Sequence, residues 1–270
     1  MTELGELLKL YSFESVYKSD DEKAIADWIE NWLDMNDIDN FERMGNTIFR
    51  LGNPEMPILS AHLDQVRTNG KAVKFYMNDA ENIIAFNDKW ERTSLGADDK
   101  NGVWIILQAL KVFPGDLNFI ISEGEETGCN GIHMLEKEKL LELLISDKQY
   151  CIVLDRRGDK DILSSGAGTT FCSTLAQDLC NFLDQDFTVN SGSLSDTCTL
   201  SKFCESVNMS VAYENPHTSK ELTDFKRLKE IKDSVIKIVD EFLHYSTPPS
   251  VYQKKTYSSY YRGGYYDDYI

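Results

Sequence analysis

The chain has 270 residues, enough for one large α/β domain or two small ones. With 45 acidic residues against 28 Lys and Arg, its formal net charge is −17, so nucleic-acid phosphates and anionic membranes would repel it and neither is an expected partner. No apolar run approaches the roughly 20 residues that span a bilayer. The six cysteines form no CxxC pair, and the acidic start "MTELGELLKLYSFESVY" lacks the basic-then-apolar pattern of a signal peptide. A reduced, cytoplasmic protein is the expectation.

Residues 3 to 35 read as two helices, the second opening at Ser19 with Asp20 and Asp21 in its first turn. "GNTIFRLG" and "MPILSAH" follow as short strands. "VKFYMNDAENIIAFND" reads as a hairpin turning at Asn78 to Asn82. "DKNGVWIILQALKVF" has helical spacing of apolar positions and stops before Pro114. "LNFIIS" is a strand, "GIHMLEKEKLLELL" a helix, "YCIVLD" a strand and "TTFCSTLAQDLCNFL" a helix. A strand in "SVNMSVAYENPH" precedes a long amphipathic helix over "TDFKRLKEIKDSVIKIVDEFLHY". Strands alternating with helices predict an α/β fold, a three-layer α/β/α sandwich around a mixed, mostly parallel sheet. Residues 1–246 are expected to form a single domain, and the Tyr-rich segment 247–270 a flexible tail.

In open α/β sheets, ligands bind beyond the carboxyl ends of the strands. Those ends carry a coherent set of residues. "MPILSA" delivers His62 and Asp64, "LNFIIS" delivers Glu125 and Glu126, "CIVL" delivers Asp155, and "NMSVAYENP" delivers His217. Asp98 and Asp99 stand in "SLGADDKNG", immediately before a helix. So many like charges on one sheet edge would repel without a cation, and imidazole with carboxylate, without thiolate, suits zinc, or manganese or cobalt. His133, although spaced three residues from Glu136, reads as helix surface, and His244 as a helix-end residue favoured by the dipole.

These motifs, "HLD", "GADDKNG", "GEETG", "VLDRRG" and "NPHTSKE", taken in this order over residues 60 to 221, resemble the co-catalytic di-zinc exopeptidase superfamily. That group includes peptidase T-like tripeptidases and zinc aminopeptidases. The resemblance implies two zinc ions (manganese or cobalt as substitutes), with His62 and Asp155 on one metal, Glu126 and His217 on the other, and Asp98 bridging both. It implies that Asp64 orients the His62 ring and that Glu125 is the general base, taking a proton from a metal-bridged water. It also implies a cis peptide between Asp98 and Asp99.

Relatives often carry a separate lid domain. Here Asp155 and His217 are only 62 positions apart (217 − 155), and His62 and Asp98 are 36 apart (98 − 62), the second gap leaving room for a hairpin only. The chain therefore resembles a lidless catalytic domain. Within the family, Asp rather than Glu at position 155 accompanies aminopeptidase and tripeptidase relatives. The implied activity is release of N-terminal residues from short peptides. The alternatives are a metal-dependent amidohydrolase of N-acyl amino acids and a non-catalytic metal-binding protein that keeps the fold. The oligomeric state is left open.

Overall fold

The computed structural model describes residues 1–51, 53–145 and 150–242. His244 and the segment 247–270 lie outside the described residues. The chain begins with α1 (Glu3–Tyr11) and α2 (Asp20–Met35). Thr2 and Ser19 cap them, their hydroxyls accepting the N–H of Gly5 and Glu22 at 3.1 Å each. Then come β1 (Glu42–Met44), β2 (Thr47–Arg50), β3 (Ile58–His62), β4 (Lys74–Met77), β5 (Asn82–Phe86) and β6 (Arg92–Thr93). They are followed by α3 (Ala97–Val112), β7 (Asn118–Ser122), α4 (Asn130–Lys137), α5 (Leu140–Leu144) and β8 (Tyr150–Arg156). The last third holds β9 (Asp161–Gly166), β10 (Thr169–Thr170), α6 (Leu175–Phe182), β11 (Thr188–Gly192), α7 (Thr197–Leu200) and β12 (Glu205–Ser210). It ends with β13 (Tyr213–Glu214), β14 (Leu222–Asp224) and α8 (Phe225–Glu241).

The larger sheet runs β1-β2-β7-β3-β8-β12-β9-β10, with β11 paired to β9. Its centre, β7-β3-β8-β12, is parallel, and antiparallel strands flank it. Side-chain alternation along these strands divides the core in two. Leu59, Phe119, Ile121, Ile152 and Leu154 pack with α1, α2, α3, α6 and α8. Ile58, Ile120, Cys151 and Val153 pack on the other face, with Ile132 and Leu135 of α4, Leu141 of α5 and Leu200 of α7. This is the expected three-layer arrangement. A smaller sheet, β13-β14-β5-β4 with β6 on β5, contains the expected hairpin, in which Met77 opposes Ile83.

Three local readings change. The run from Gly131 to Leu144 is two helices, because Lys139 takes φ +60 and ends the first. The helix expected from Thr169 begins only at Leu175, and Thr169–Thr170 pairs as β10. β9, β11, β13 and β14 were not foreseen. "TVNSG" of β11 is nearly all exposed and has no apolar alternation to betray a strand.

Candidate metal centre

Parallel pairing of β3 with β7 and β8 brings their carboxyl ends to one edge, with His62 opposite Ser122. His62, 2 % exposed, therefore stands beside the turn after β7 and beside Asp155 near the end of β8. In that turn Gly124 takes φ +65, and Glu125 and Glu126 follow. The carboxylate of Asp64, wholly buried, accepts the backbone N–H of Glu125 at 2.8 Å and of Glu126 at 3.1 Å. His62 Nδ1 faces the same residue, 3.0 Å from its carbonyl and 3.4 Å from its carboxylate.

The start of α3 completes this wall. The Asp98–Asp99 peptide bond is cis. Glu221, 1 % exposed, accepts the N–H groups of Leu95 at 2.6 Å and Gly96 at 2.7 Å, and lies 3.4 Å from that of Asp98. Asp99 accepts the N–H of His62 at 3.1 Å and of Gly102 at 3.2 Å. It therefore caps the helix and ties it to β3. Asp99 also lies close enough to His62 and Asp155 to complete a metal-binding triad by distance, but those two N–H groups already engage both its oxygens. Gly102 is required where α3 crosses β8: a Cβ there would stand 2.0 Å from the Leu154 carbonyl oxygen.

Asp98 divides its oxygens between the two imidazoles. Oδ1 is 3.2 Å from His62 Nε2, and Oδ2 is 3.2 Å from His217 Nε2. On the first side, His62 Nε2 is 3.5 Å from Asp155 Oδ1 and 4.0 Å from Glu125 Oε2. On the second, His217 Nε2 is 2.7 Å from Glu126 Oε1. His217 comes from the loop between β13 and β14 at φ +61. Ligand atoms of His62, Asp98 and Glu126 lie within 4.8 Å of one another.

The donor set fits a divalent cation. Ligands bonded to tetrahedral zinc at about 2.0–2.2 Å lie roughly 3.3 Å apart, close to the observed 3.2–3.5 Å spacings around His62. Glu126 Oε1 is buried without an aligned hydrogen-bond donor, although His217 Nε2 is 2.7 Å away. A carboxylate oxygen and an imidazole nitrogen held this close together are both donors that a divalent cation accepts.

The electrostatics agree. Burial pushes Glu125 up to about 9, and the charges of Asp155, Asp196 and Glu126 add to the shift. Burial likewise pushes Asp155 up to about 7, with Asp98 contributing. Burial opposes protonation of His62, but its contacts with Asp155, Asp64 and Asp98 raise its pKa well above the ordinary histidine value. Contacts with Asp98 and Glu126 lift His217 to about 10. Five carboxylates (Asp64, Asp98, Glu125, Glu126 and Asp155) face two imidazoles here, an imbalance that positive charge would relieve.

The residues proposed from the sequence as ligands, base and brace all lie at this edge, whereas His133 is exposed on α4 with Nε2 3.2 Å from Thr199 Oγ1. Several others went unremarked. Asn208 Nδ2 is 3.5 Å from Asp155 Oδ2. The Tyr213 hydroxyl donates to the Asp155 carbonyl at 2.8 Å. Asp196, buried behind Glu125, accepts from Ser122 Oγ at 2.5 Å. None of these three stands in a sequence motif, whereas Glu221 is the last residue of "NPHTSKE". A cavity of about 530 Å³ opens over the cluster, and Asp98, Glu125, Glu126, Asp155 and His217 line it. No helix among the described residues is long and apolar enough to cross a membrane.

Comparison with known proteins places this architecture. No sequence-family model matches the chain, and no curated protein does. Many solved structures share the fold, peptidases among them. One is a tripeptidase from Staphylococcus aureus, 18 % identical, TM-score 0.70, the match covering 89 % of this chain and 98 % of that one. Another is the aminopeptidase PepT from Bacillus cereus, 15 % identical, TM-score 0.67, covering 88 % and 97 %. The Pyrococcus horikoshii TET1 peptidase, 14 % identical with TM-score 0.64, covers 88 % and 99 %, and assembles into a tetrahedron or a large octahedral shell. At these identities the likeness establishes the shared α/β fold, over nearly the full length of those chains.

Proposed function

We propose that the protein is a metal-dependent exopeptidase that releases N-terminal residues from short peptides. His62, Asp155 and one oxygen of Asp98 would hold one divalent cation. Glu126, His217 and the other oxygen of Asp98 would hold a second. Imidazole and carboxylate donors suit zinc, with manganese or cobalt as substitutes. The observation that carries the reading is the division of the Asp98 carboxylate, one oxygen 3.2 Å from each histidine. The fold it shares with a tripeptidase and an aminopeptidase supports the substrate class.

When bound, such cations supply a Lewis acid for the scissile carbonyl and ease deprotonation of water. The remaining work falls to side chains of this protein. Glu125 faces the cavity and takes the proton of the attacking water, then hands it to the leaving amine. Asp64 holds the backbone of Glu125 and Glu126, so that one carboxylate is free for proton transfer while its neighbour turns to His217. The acidic rim attracts the α-ammonium group of the substrate.

The test supplies zinc, manganese or cobalt to pure protein and follows amine release from di- and tripeptides and from N-acyl amino acids. Wild type should release N-terminal residues, and Glu125→Gln should lose at least about a hundredfold in kcat with its metal content unchanged. Cleavage of acylated substrates alone would replace the reading with an amidohydrolase. A folded, metal-loaded protein that releases nothing would overturn it.

A further inference from the structure

We infer that Arg157 binds the free C-terminal carboxylate of the peptide, so that the site selects short peptide acids over peptides blocked at that end. This deepens the exopeptidase reading and rests on it. Two arginines, Arg156 and Arg157, follow Asp155 directly and line the same cavity as Glu125 and His217. They differ in what they meet. Arg156 donates from Nε to Asp161 Oδ2 at 3.1 Å and is neutralised within the fold. Arg157 is exposed, and its guanidinium has no ion pair or hydrogen bond among the described residues. Of the acids near this loop, Asp159 faces Arg227 at 4.0 Å, and Glu214, whose Oε1 stands beside Gly158, forms no ion pair with Arg157.

The backbone that carries Arg157 is held in place. Its carbonyl accepts from Ser210 Oγ at 3.0 Å. The Val211 N–H donates to the Arg156 carbonyl at 2.9 Å, the Ala212 N–H to the Gly158 carbonyl at 2.8 Å, and the Gly158 N–H to the Tyr213 carbonyl at 2.8 Å. The pinned loop fixes where the Arg157 side chain begins, and its guanidinium offers the planar donor fork that matches a carboxylate.

The spacing suits a short substrate. Arg157 lies two residues beyond Asp155, about 7 Å of extended chain. In an extended peptide, the carboxylate two residues past the scissile carbonyl lies at a similar distance. The cavity would thus present carboxylates toward the substrate's amino end and one uncommitted cation toward its carboxyl end. A longer or blocked peptide would place a neutral amide against that cation.

Calorimetric titration of zinc-loaded Glu125→Gln protein with trialanine and with trialanine amide tests this without turnover. The acid should bind about tenfold more tightly than the amide. Adding Arg157→Gln should bring that ratio to about one, Arg157→Lys should keep part of it, and Arg157→Glu should invert it. The kcat/KM ratio of the two peptides on otherwise wild-type protein should follow the same order. Equal affinity for acid and amide, a preference that survives Arg157→Gln, or no binding of either peptide overturns the inference. If wild type cleaves both peptides equally well, the exopeptidase reading stands and the carboxylate site falls. If the Arg157-dependent preference appears in binding while wild type cleaves neither peptide, the carboxylate site stands and the exopeptidase reading falls.

Discussion

The carboxylate of Asp64 accepts the backbone N–H of Glu125 at 2.8 Å, across two strand ends 61 residues apart in sequence, and takes the next N–H, that of Glu126, with its other oxygen. One buried acid thereby fixes where both glutamates begin. Asp64→Asn keeps the shape but replaces one acceptor oxygen with an NH₂ group, which leaves one of the two N–H groups unsatisfied. Urea unfolding should show a loss of about 1–3 kcal/mol. Zinc affinity should fall about 10- to 100-fold because the carboxylate charge 3.4 Å from the His62 ring is lost as well. An Asn variant with wild-type zinc affinity would show that Asp64 is not the brace of the site.

The two histidines should respond differently to removal. The His217 side chain is 45 % exposed, so His217→Ala leaves little cavity and the fold should survive. Elemental analysis after dialysis should find about one zinc per chain in this variant against two in wild type, and close to none in Asp98→Ala. Zinc at about a hundred times its dissociation constant should stabilise wild type by about 2.7 kcal/mol, seen as a rise in Tm that a chelator reverses. Unchanged stoichiometry in Asp98→Ala would remove that residue from its bridging role.

Glu22, on α2, gives the protein a pH dependence of its own. It is fully buried and pushed up to about 7, by burial first and then by the charges of Asp64 and Glu123. An acid raised in the folded state binds more protons there than in the unfolded chain. Its contribution is therefore complete below the unfolded value of about 4.5 and is lost as pH rises through about 7. Across that window it amounts to at most about 3 kcal/mol. Glu22→Gln keeps an acceptor for the Lys18 N–H and Asn46 Nδ2. The fall in urea midpoint between pH 5 and pH 8 should be smaller in this variant than in wild type; an equal fall would assign the dependence to other groups.

Much of this architecture was legible in the residues. "MPILSAH", "LNFIIS" and "YCIVLD" are apolar runs that end in, or run directly into, imidazole or acid, and each became a central parallel strand with those residues at one edge. The short polar strands were not legible. β11 and β14 are short and polar and take their pairing from neighbours rather than from a pattern of their own. The break between α4 and α5 was hidden for a related reason: apolar spacing continues across Lys139, and only its positive φ ends the helix.

The sequence by itself determined the order of the strands' chemical cargo, because apolar runs must be buried and the polar residues that follow them must emerge at the sheet edge. It also supplied Gly102, though not the reason for it, which is the Leu154 carbonyl that any larger residue would strike. Tertiary structure alone decided which atom faces which: that Asp98 splits between His62 and His217, that Glu221 caps a helix start more than a hundred residues away, and that Arg156 is paired while Arg157 is not. These relationships join residues remote in the chain, and their distances are set by how the strands, α3 and the β13–β14 loop pack together, which no local pattern encodes.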